Sequence, residues 1–222
     1  MARRTRNVLD RPSLIDVGSP SFEVIRALRL ALVLRTPSDR VSRVLVTSAE
    51  PGAGKSTIAA NLALVSAIAG RRVLLVDADL AKPVQHEIFS VERRPGLVDF
   101  LASGGDLDGF VRSGPAKLKI MTAGREVSRA TEILSSPRMA DLLDAAADRY
   151  DAIIVDTASV LSSADAAAIA TRSALDVLFV VARTTRRHDV SRALRRLELV
   201  HAPIAGLVLN QEGQQESYGF GS

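Results

Sequence analysis

A chain of 222 residues with a formal net charge of +4 and an apolar share of 47% carries enough material for one α/β domain with its own core. It has no Cys, which excludes disulfides and thiolate metal sites, and no Trp with 4% aromatics, so the core must be aliphatic. No apolar run reaches the roughly 18–20 residues of a membrane span, Arg3, Arg4 and Arg6 lead into no apolar signal stretch, and no basic run is interleaved with aromatics, which argues against a specific nucleic-acid partner.

Residues 1–18 lack periodicity and are expected to form a flexible N-terminal arm or strap. A helix should begin at Ser19-Pro20, with Ser as N-cap and Pro in the first turn. Phe22, Ile25, Leu28 and Leu32 would face inward, while Glu23, Arg26 and Arg29 share a neighbouring face. On the residues alone that triplet is a solvated face carrying an i,i+3 ion pair. Residues 43–47 read as a strand, 58–68 as a helix that Gly70 stops, and 72–77 as an aliphatic strand ending in Asp77. Short helical pieces follow at 96–102 and 107–111, then a strand at 117–122 and a helix at 137–148. A third aliphatic strand, 151–156, ends in Asp156. Helix 164–170, strand 176–181, helix 189–200 and strand 204–210 complete the pattern. Strands alternating with helices predict an α/β fold across 19–210: a doubly wound, mostly parallel sheet with helices on both faces. Residues 211–222 are polar and read as a flexible tail bearing Tyr218.

Residues 48–57 form the turn from the first strand into its helix. Against the phosphate-binding pattern G-x-x-x-x-G-K-[ST], Gly54, Lys55 and Ser56 match, and Ala49 stands where the first Gly belongs. A strand, a Gly-containing loop and a helix in that order aim the orphan amides of a helix N-terminus at a polyphosphate. Gly52, Ala53, Gly54, Lys55, Ser56 and Thr57 are therefore the candidate ATP cradle. ATP requires Mg²⁺, a hard cation taking oxygen ligands. The Ser56 hydroxyl is a direct ligand candidate, Asp156 holds the metal or its water, and Lys55 reaches the β- and γ-phosphates. Asp77 and Asp79, two residues apart, would point the same way if both extended from a strand. That would put one on the metal shell and one beside the incoming nucleophile. Asn210, ending the last strand, is a candidate for lining the adenine site.

These motifs together resemble the bacterial tyrosine kinases, ATPase domains that control capsule and exopolysaccharide export. The resemblance rests on the phosphate loop, Asp77-Ala-Asp79, Ile-Ile-Val-Asp156-Thr and Glu23-x-x-Arg26-x-x-Arg29. It is supported by Thr122-Ala-Gly124, Glu132-Ile-Leu-Ser-Ser-Pro-Arg-Met139, Arg149-Tyr-Asp151 and Gly206-Leu-Val-Leu-Asn210, and it covers roughly residues 19–210. It implies that Lys55, Asp77, Asp79 and Asp156 are catalytic, with Ser56, Asp77 and Asp156 on the metal. It further implies that Glu23, Arg26 and Arg29 close a homo-oligomeric ring, and that Tyr218 of a neighbouring subunit accepts the phosphoryl group. A membrane-embedded polysaccharide co-polymerase would recruit and activate this cytoplasmic enzyme at the inner face of the membrane. Glu50 stands where the septum-site and partition ATPases carry an additional Lys, which argues against their paired-Lys dimer. Three departures from the family pattern are Ala81 for Arg, Ala158-Ser159 for Pro-Pro, and a single tail tyrosine. They support a second expectation, an ATP-hydrolysing switch that regulates a membrane export partner without phosphorylating tyrosine.

Overall fold

Strand runs of β-branched and aliphatic residues favour burial of both faces, and the inner strands of the sheet have both buried. The structure is a computed structural model describing residues 14–37, 40–172 and 175–210. The 1–13 part of the expected arm and the whole expected tail, Tyr218 included, lie outside the described residues. Among the described residues seven strands form one sheet in the order β3-β4-β2-β5-β1-β6-β7, with β1 Ser42–Ser48, β2 Val73–Ala78, β3 Arg112–Ser113, β4 Leu118–Met121, β5 Ala152–Thr157, β6 Asp176–Ala182 and β7 Ile204–Asn210. Every pairing is parallel except that of β3 with β4 at one edge.

Side-chain alternation divides the core into two layers. Val44 and Val46 of β1, Val73 and Leu75 of β2, and Ile154 of β5 face one side. Leu45, Leu74, Val76, Ile153 and Val155 face the other. The first layer is roofed by α2 (Lys55–Ile68), which is apolar nearly all round and is itself covered by α1 (Pro20–Arg35). α1 begins where the sequence places it: the Ser19 hydroxyl accepts the Phe22 N–H at 3.2 Å, and Phe22, Ile25 and Leu32 are buried. α3 (Gln85–Ile88) follows β2 and contributes a buried Gln85. The second layer is packed by α4 (Leu97–Ser103), α6 (Pro137–Ala147), α7 (Asp165–Arg172) and α8 (Arg187–Glu198), with α5 (Ala130–Leu134) leading into α6.

The expected doubly wound sheet is therefore present. The sequence pattern does not reveal the two-residue antiparallel β3 or the four- and five-residue helices α3 and α5, which are too short to show a period. Tyr150 is buried just before β5 and packs in the second layer, a structural role.

The layered packing makes a stability prediction. Leu75 is fully buried in the inner strand β2, whereas Leu209 on edge strand β7 is 66% exposed. Leu75→Ala should lower unfolding free energy by about 2–5 kcal/mol in urea melts, and Leu209→Ala should stay within about 0.5 kcal/mol of wild type. Equal effects would contradict this assignment of core and edge.

Candidate functional site

The crevice lies at the carboxyl edge of β1, β2 and β5, where open α/β sheets present ligand-binding groups. The loop leaving β1 turns through Gly52 (φ 85°) and Gly54 (φ 86°), left-handed conformations that glycine adopts without strain. Gly54 is the N-cap of α2 and has no side chain to occupy the helix mouth, so the amides of the first turn stay directed at the crevice. A Cβ at Gly54 would also collide with the side-chain amide of Asn210. That amide donates to the Ala53 carbonyl at 2.9 Å and pins the loop to the end of β7. Ala49, in the place of the pattern's first glycine, is fully buried and is not among the residues with positive φ. Its carbonyl accepts the Leu161 N–H at 3.1 Å, beside the Ser48 carbonyl that accepts the Val160 N–H at 2.8 Å. The loop after β5 thus ties down the start of the phosphate loop, and a methyl group is accommodated there.

Parallel pairing makes Asp77 of β2 and Asp156 of β5 register partners. Both are completely buried. Burial first, then the Asp156 charge, pushes the Asp77 carboxyl well above the ordinary carboxylate range, against the pull of the Gln85 backbone N–H. Burial raises Asp156 to about 6, opposed by Lys55, by the Gln85 side chain and by a hydrogen bond with Ser56. Lys55, the first residue of α2, sits with its Nζ 2.8 Å from Asp79 Oδ2. Burial works against its charge, yet Asp156, Asp79 and Asp77 outweigh burial and hold the ammonium above its usual range.

Asp77 and Asp79 take different partners. β2 ends at Ala78, so strand alternation no longer applies at Asp79. Asp77 Oδ2 accepts the N–H groups of Val84 and Gln85 at 3.1 and 3.0 Å, capping α3, while Asp79 turns to Lys55 and accepts the Lys82 N–H at 3.1 Å.

Gln85 is the residue that sequence reasoning missed. Its Nε2 donates to Asp156 Oδ2 at 2.8 Å and to the Ser56 carbonyl at 3.1 Å, joining the two motifs. The only sequence signal is a polar residue eight positions after Asp77, in a helix too short to recognise. Three buried oxygens, Asp77 Oδ1, Asp156 Oδ1 and Gln85 Oε1, have no hydrogen-bond donor among the described residues. With the Ser56 hydroxyl they form an oxygen-rich donor set short of positive charge, which suits a hard divalent cation. The described residues hold no ready-made cage of metal-binding side chains. Mg²⁺ does not need one, since it takes one or two carboxylates and completes its shell with phosphate oxygens and water.

The remaining site expectations fall elsewhere. Glu23 and Arg26 pair with each other at 2.9 Å on the exposed face of α1, as the i,i+3 spacing suggests. Arg29 is half-buried and lines a separate hollow beneath the helix. Ala158 is buried, and its carbonyl accepts the Thr47 hydroxyl at 2.9 Å. No helix among the described residues is long and apolar enough to cross a membrane.

Comparison with known proteins agrees with this geometry. Residues 44–220 match the family model of the CobQ/CobB/MinD/ParA nucleotide binding domain. The tyrosine-protein kinase YwqD of Bacillus subtilis is 32% identical over 222 residues, covering 99% of this chain and 92% of that protein. EpsB of Ralstonia solanacearum is 35% identical over 205 residues, which are 91% of this chain but 27% of that protein, so the chain spans about a quarter of that relative's length. The kinase domain of Escherichia coli tyrosine kinase ETK superposes with a TM-score of 0.84 at 30% identity, over 100% of this chain and 88% of that one. With its phosphate loop, paired aspartate motifs and this likeness along nearly its whole length, the chain belongs to the bacterial tyrosine kinase family of P-loop nucleotide-binding domains.

Proposed function

We propose that the chain is an ATP- and Mg²⁺-dependent protein-tyrosine kinase that phosphorylates copies of itself and regulates polysaccharide synthesis or export. The observation that carries this reading is the meeting of Lys55, Asp77, Asp79 and Asp156 at one sheet edge, with a glycine-turned helix mouth beside them. The relatives' names as tyrosine-protein kinases support the acceptor class. Bound Mg²⁺ would neutralise charge on the β- and γ-phosphates, with Ser56, Asp77 and Asp156 as its protein-side partners. The α2 amides bind and orient the triphosphate. Lys55 is drawn from Asp79 to the phosphates, and the Asp79 carboxylate is then free beside the incoming phenol. The phenol oxygen forms the new P–O bond as the bond from the γ-phosphorus to the β,γ-bridging oxygen breaks. ADP leaves with that electron pair, and the phenolic proton passes to carboxylate or solvent. A loose transition state needs little early deprotonation, so positioning and charge stabilisation suffice although an aspartate is a weak base toward a phenol.

In this reading Tyr218 of a neighbouring copy is the acceptor, Glu23, Arg26 and Arg29 join copies into a ring, and a membrane-embedded co-polymerase recruits the cytoplasmic enzyme. The second reading, an ATP-hydrolysing switch without tyrosine transfer, draws its support from Ala81, Ala158 and the single tail tyrosine.

With ATP and Mg²⁺, wild type should accumulate phosphotyrosine on immunoblots. Lys55→Met should lower it by at least about 100-fold, the scale of losing one transition-state charge contact. Tyr218→Phe should remove it while leaving ADP binding by calorimetry unchanged. Phosphate release without phosphotyrosine, even with a partner's cytoplasmic segment added, would favour the switch.

Acidity provides a separate check. Native Asp156 keeps its proton to about pH 6, whereas an unfolded aspartate loses it near 4. Between those values the native state binds the extra proton, so ligand-free stability should fall as pH rises from about 4 through about 6. Mg²⁺ binding needs the ionised form and should strengthen over the same interval with proton release. Asp156→Asn should remove its own share of both slopes in chemical melts and metal titrations and leave the share of Asp77, whose carboxyl burial also raises, and an unchanged slope would place the proton elsewhere.

For the ring, Glu23→Ala combined with Arg26→Ala and Arg29→Ala should shift the sizing profile to a smaller species. An unchanged profile would return these residues to a solvated face.

A further inference from the structure

One residue restrains both strand-end carboxylates. The backbone N–H of Gln85 donates to Asp77 Oδ2 at 3.0 Å, beside the Val84 N–H at 3.1 Å, and its side-chain Nε2 donates to Asp156 Oδ2 at 2.8 Å. Gln85 is completely buried, in a helix of four residues.

The orientation of its amide is fixed. Nε2 also donates to the Ser56 carbonyl at 3.1 Å, so both of its hydrogens are used. Turned over, the amide would set Oε1 against a carboxylate and a carbonyl, acceptor against acceptor. Oε1 therefore keeps its place, buried and without a donor among the described residues.

Each carboxylate is left with one oxygen to offer. Asp77 Oδ1 and Asp156 Oδ1 have no hydrogen-bond partner among the described residues, whereas both Oδ2 atoms are engaged. The Ser56 hydroxyl also hydrogen-bonds Asp156, but it is itself a candidate metal ligand. Gln85 is the donor for which a bound cation does not compete. A carboxylate held in this way binds a cation through a single oxygen.

That limit discriminates between hard cations. Mg²⁺ keeps a near-octahedral shell at about 2.0–2.1 Å and takes one or two carboxylates, with water and phosphate oxygens in the remaining places. Ca²⁺ takes roughly six to eight oxygens at about 2.3–2.6 Å and often uses both oxygens of a carboxylate. Two one-oxygen carboxylates suit the first ion and undersupply the second. The Gln85 Oε1 adds to the same preference, because a buried acceptor without a donor suits a water of the cation's shell, and Mg²⁺ dehydrates reluctantly.

We propose that Gln85 sets the metal preference of this crevice, selecting Mg²⁺ over Ca²⁺ by holding Asp77 and Asp156 to one oxygen each. It acts through the two aspartates and is a positioning residue. The inference rests on the reading of the crevice as a site for a nucleotide and its metal.

Full-length chain with a fluorescent ADP analogue, titrated separately with Mg²⁺ and with Ca²⁺, reads this preference without phosphoryl transfer. In wild type, Mg²⁺ should tighten nucleotide binding at a lower concentration than Ca²⁺. Gln85→Leu removes the side-chain donor to Asp156 and keeps the backbone donor to Asp77. Its ratio of Ca²⁺ to Mg²⁺ midpoints should fall by about tenfold or more, the scale of losing a partner that orients a metal ligand. A residue that only packs α3 would weaken both metals alike, so an unchanged ratio would overturn the proposal, as would a wild type that takes both metals equally. If Gln85→Leu fails to fold, Gln85→Met, unbranched and of similar length, decides by the same ratio. Wild-type nucleotide binding that ignores both metals would defeat the underlying reading, and the selectivity with it. A Mg²⁺ preference that survives in the variants defeats the role of Gln85 alone.

Discussion

The crevice is organised around the electrostatic cost of holding Asp77 and Asp156 side by side in a place without water. Neighbouring strands lie about 4.8 Å apart, and two like charges at about 5 Å repel by about 3 kcal/mol even at an effective dielectric of about 20. The surrounding features reduce that cost. Lys55 supplies a cation at the helix mouth, the α3 amides bind one carboxylate, the Gln85 amide binds the other, and burial raises both carboxyls above their usual range so that each holds a proton more readily. Three oxygens remain without donors among the described residues. A site that is nearly but not fully compensated attracts a divalent cation, whose charge completes what the protein leaves undone.

That arrangement depends on the sheet for its precision. Asp77 and Asp156 are held at the ends of strands whose other residues are buried on both faces, so neither backbone can retreat from its neighbour. α2 is fixed equally firmly, wedged between the sheet and α1. Strands that cannot shift register and a helix that cannot roll place the ammonium and the carboxylates to within a hydrogen-bond length. A surface loop would not supply that preorganisation.

The long aliphatic strands and the helices between them were legible in the sequence because their periods repeat over enough residues to be distinctive, and the sheet followed from their alternation. The phosphate loop was legible through Gly54, Lys55 and Ser56, whose types are dictated by chemistry. What escaped depends on tertiary approach. Gln85 is one amide in a four-residue helix, and nothing local says that it will meet Asp156, seventy-one positions away. The different partners of Asp77 and Asp79 were hidden for a related reason. Alternation is a property of a strand, and where β2 stops is decided by the hydrogen bonds of the chain after it. Ala49 shows the converse case. A mismatch to the phosphate-loop pattern costs nothing here because the backbone at that position does not require glycine.

The divergence of the two aspartates also divides their work. Asp77 is spent on structure at one oxygen, where it caps α3 and so holds Gln85 against Asp156. Its other oxygen has no hydrogen-bond donor among the described residues. Asp79 is outside the strand, and its carboxylate holds Lys55 in the absence of phosphate. In the proposed reaction those two contacts respond differently to nucleotide. The Asp77 cap has no reason to break, because a cation can use the free oxygen. The Asp79–Lys55 pair must loosen, because the phosphates compete for the same ammonium. Under this proposal, binding of a triphosphate would convert a neutralised carboxylate into an available one as the γ-phosphorus arrives. The exchange needs no movement of the sheet.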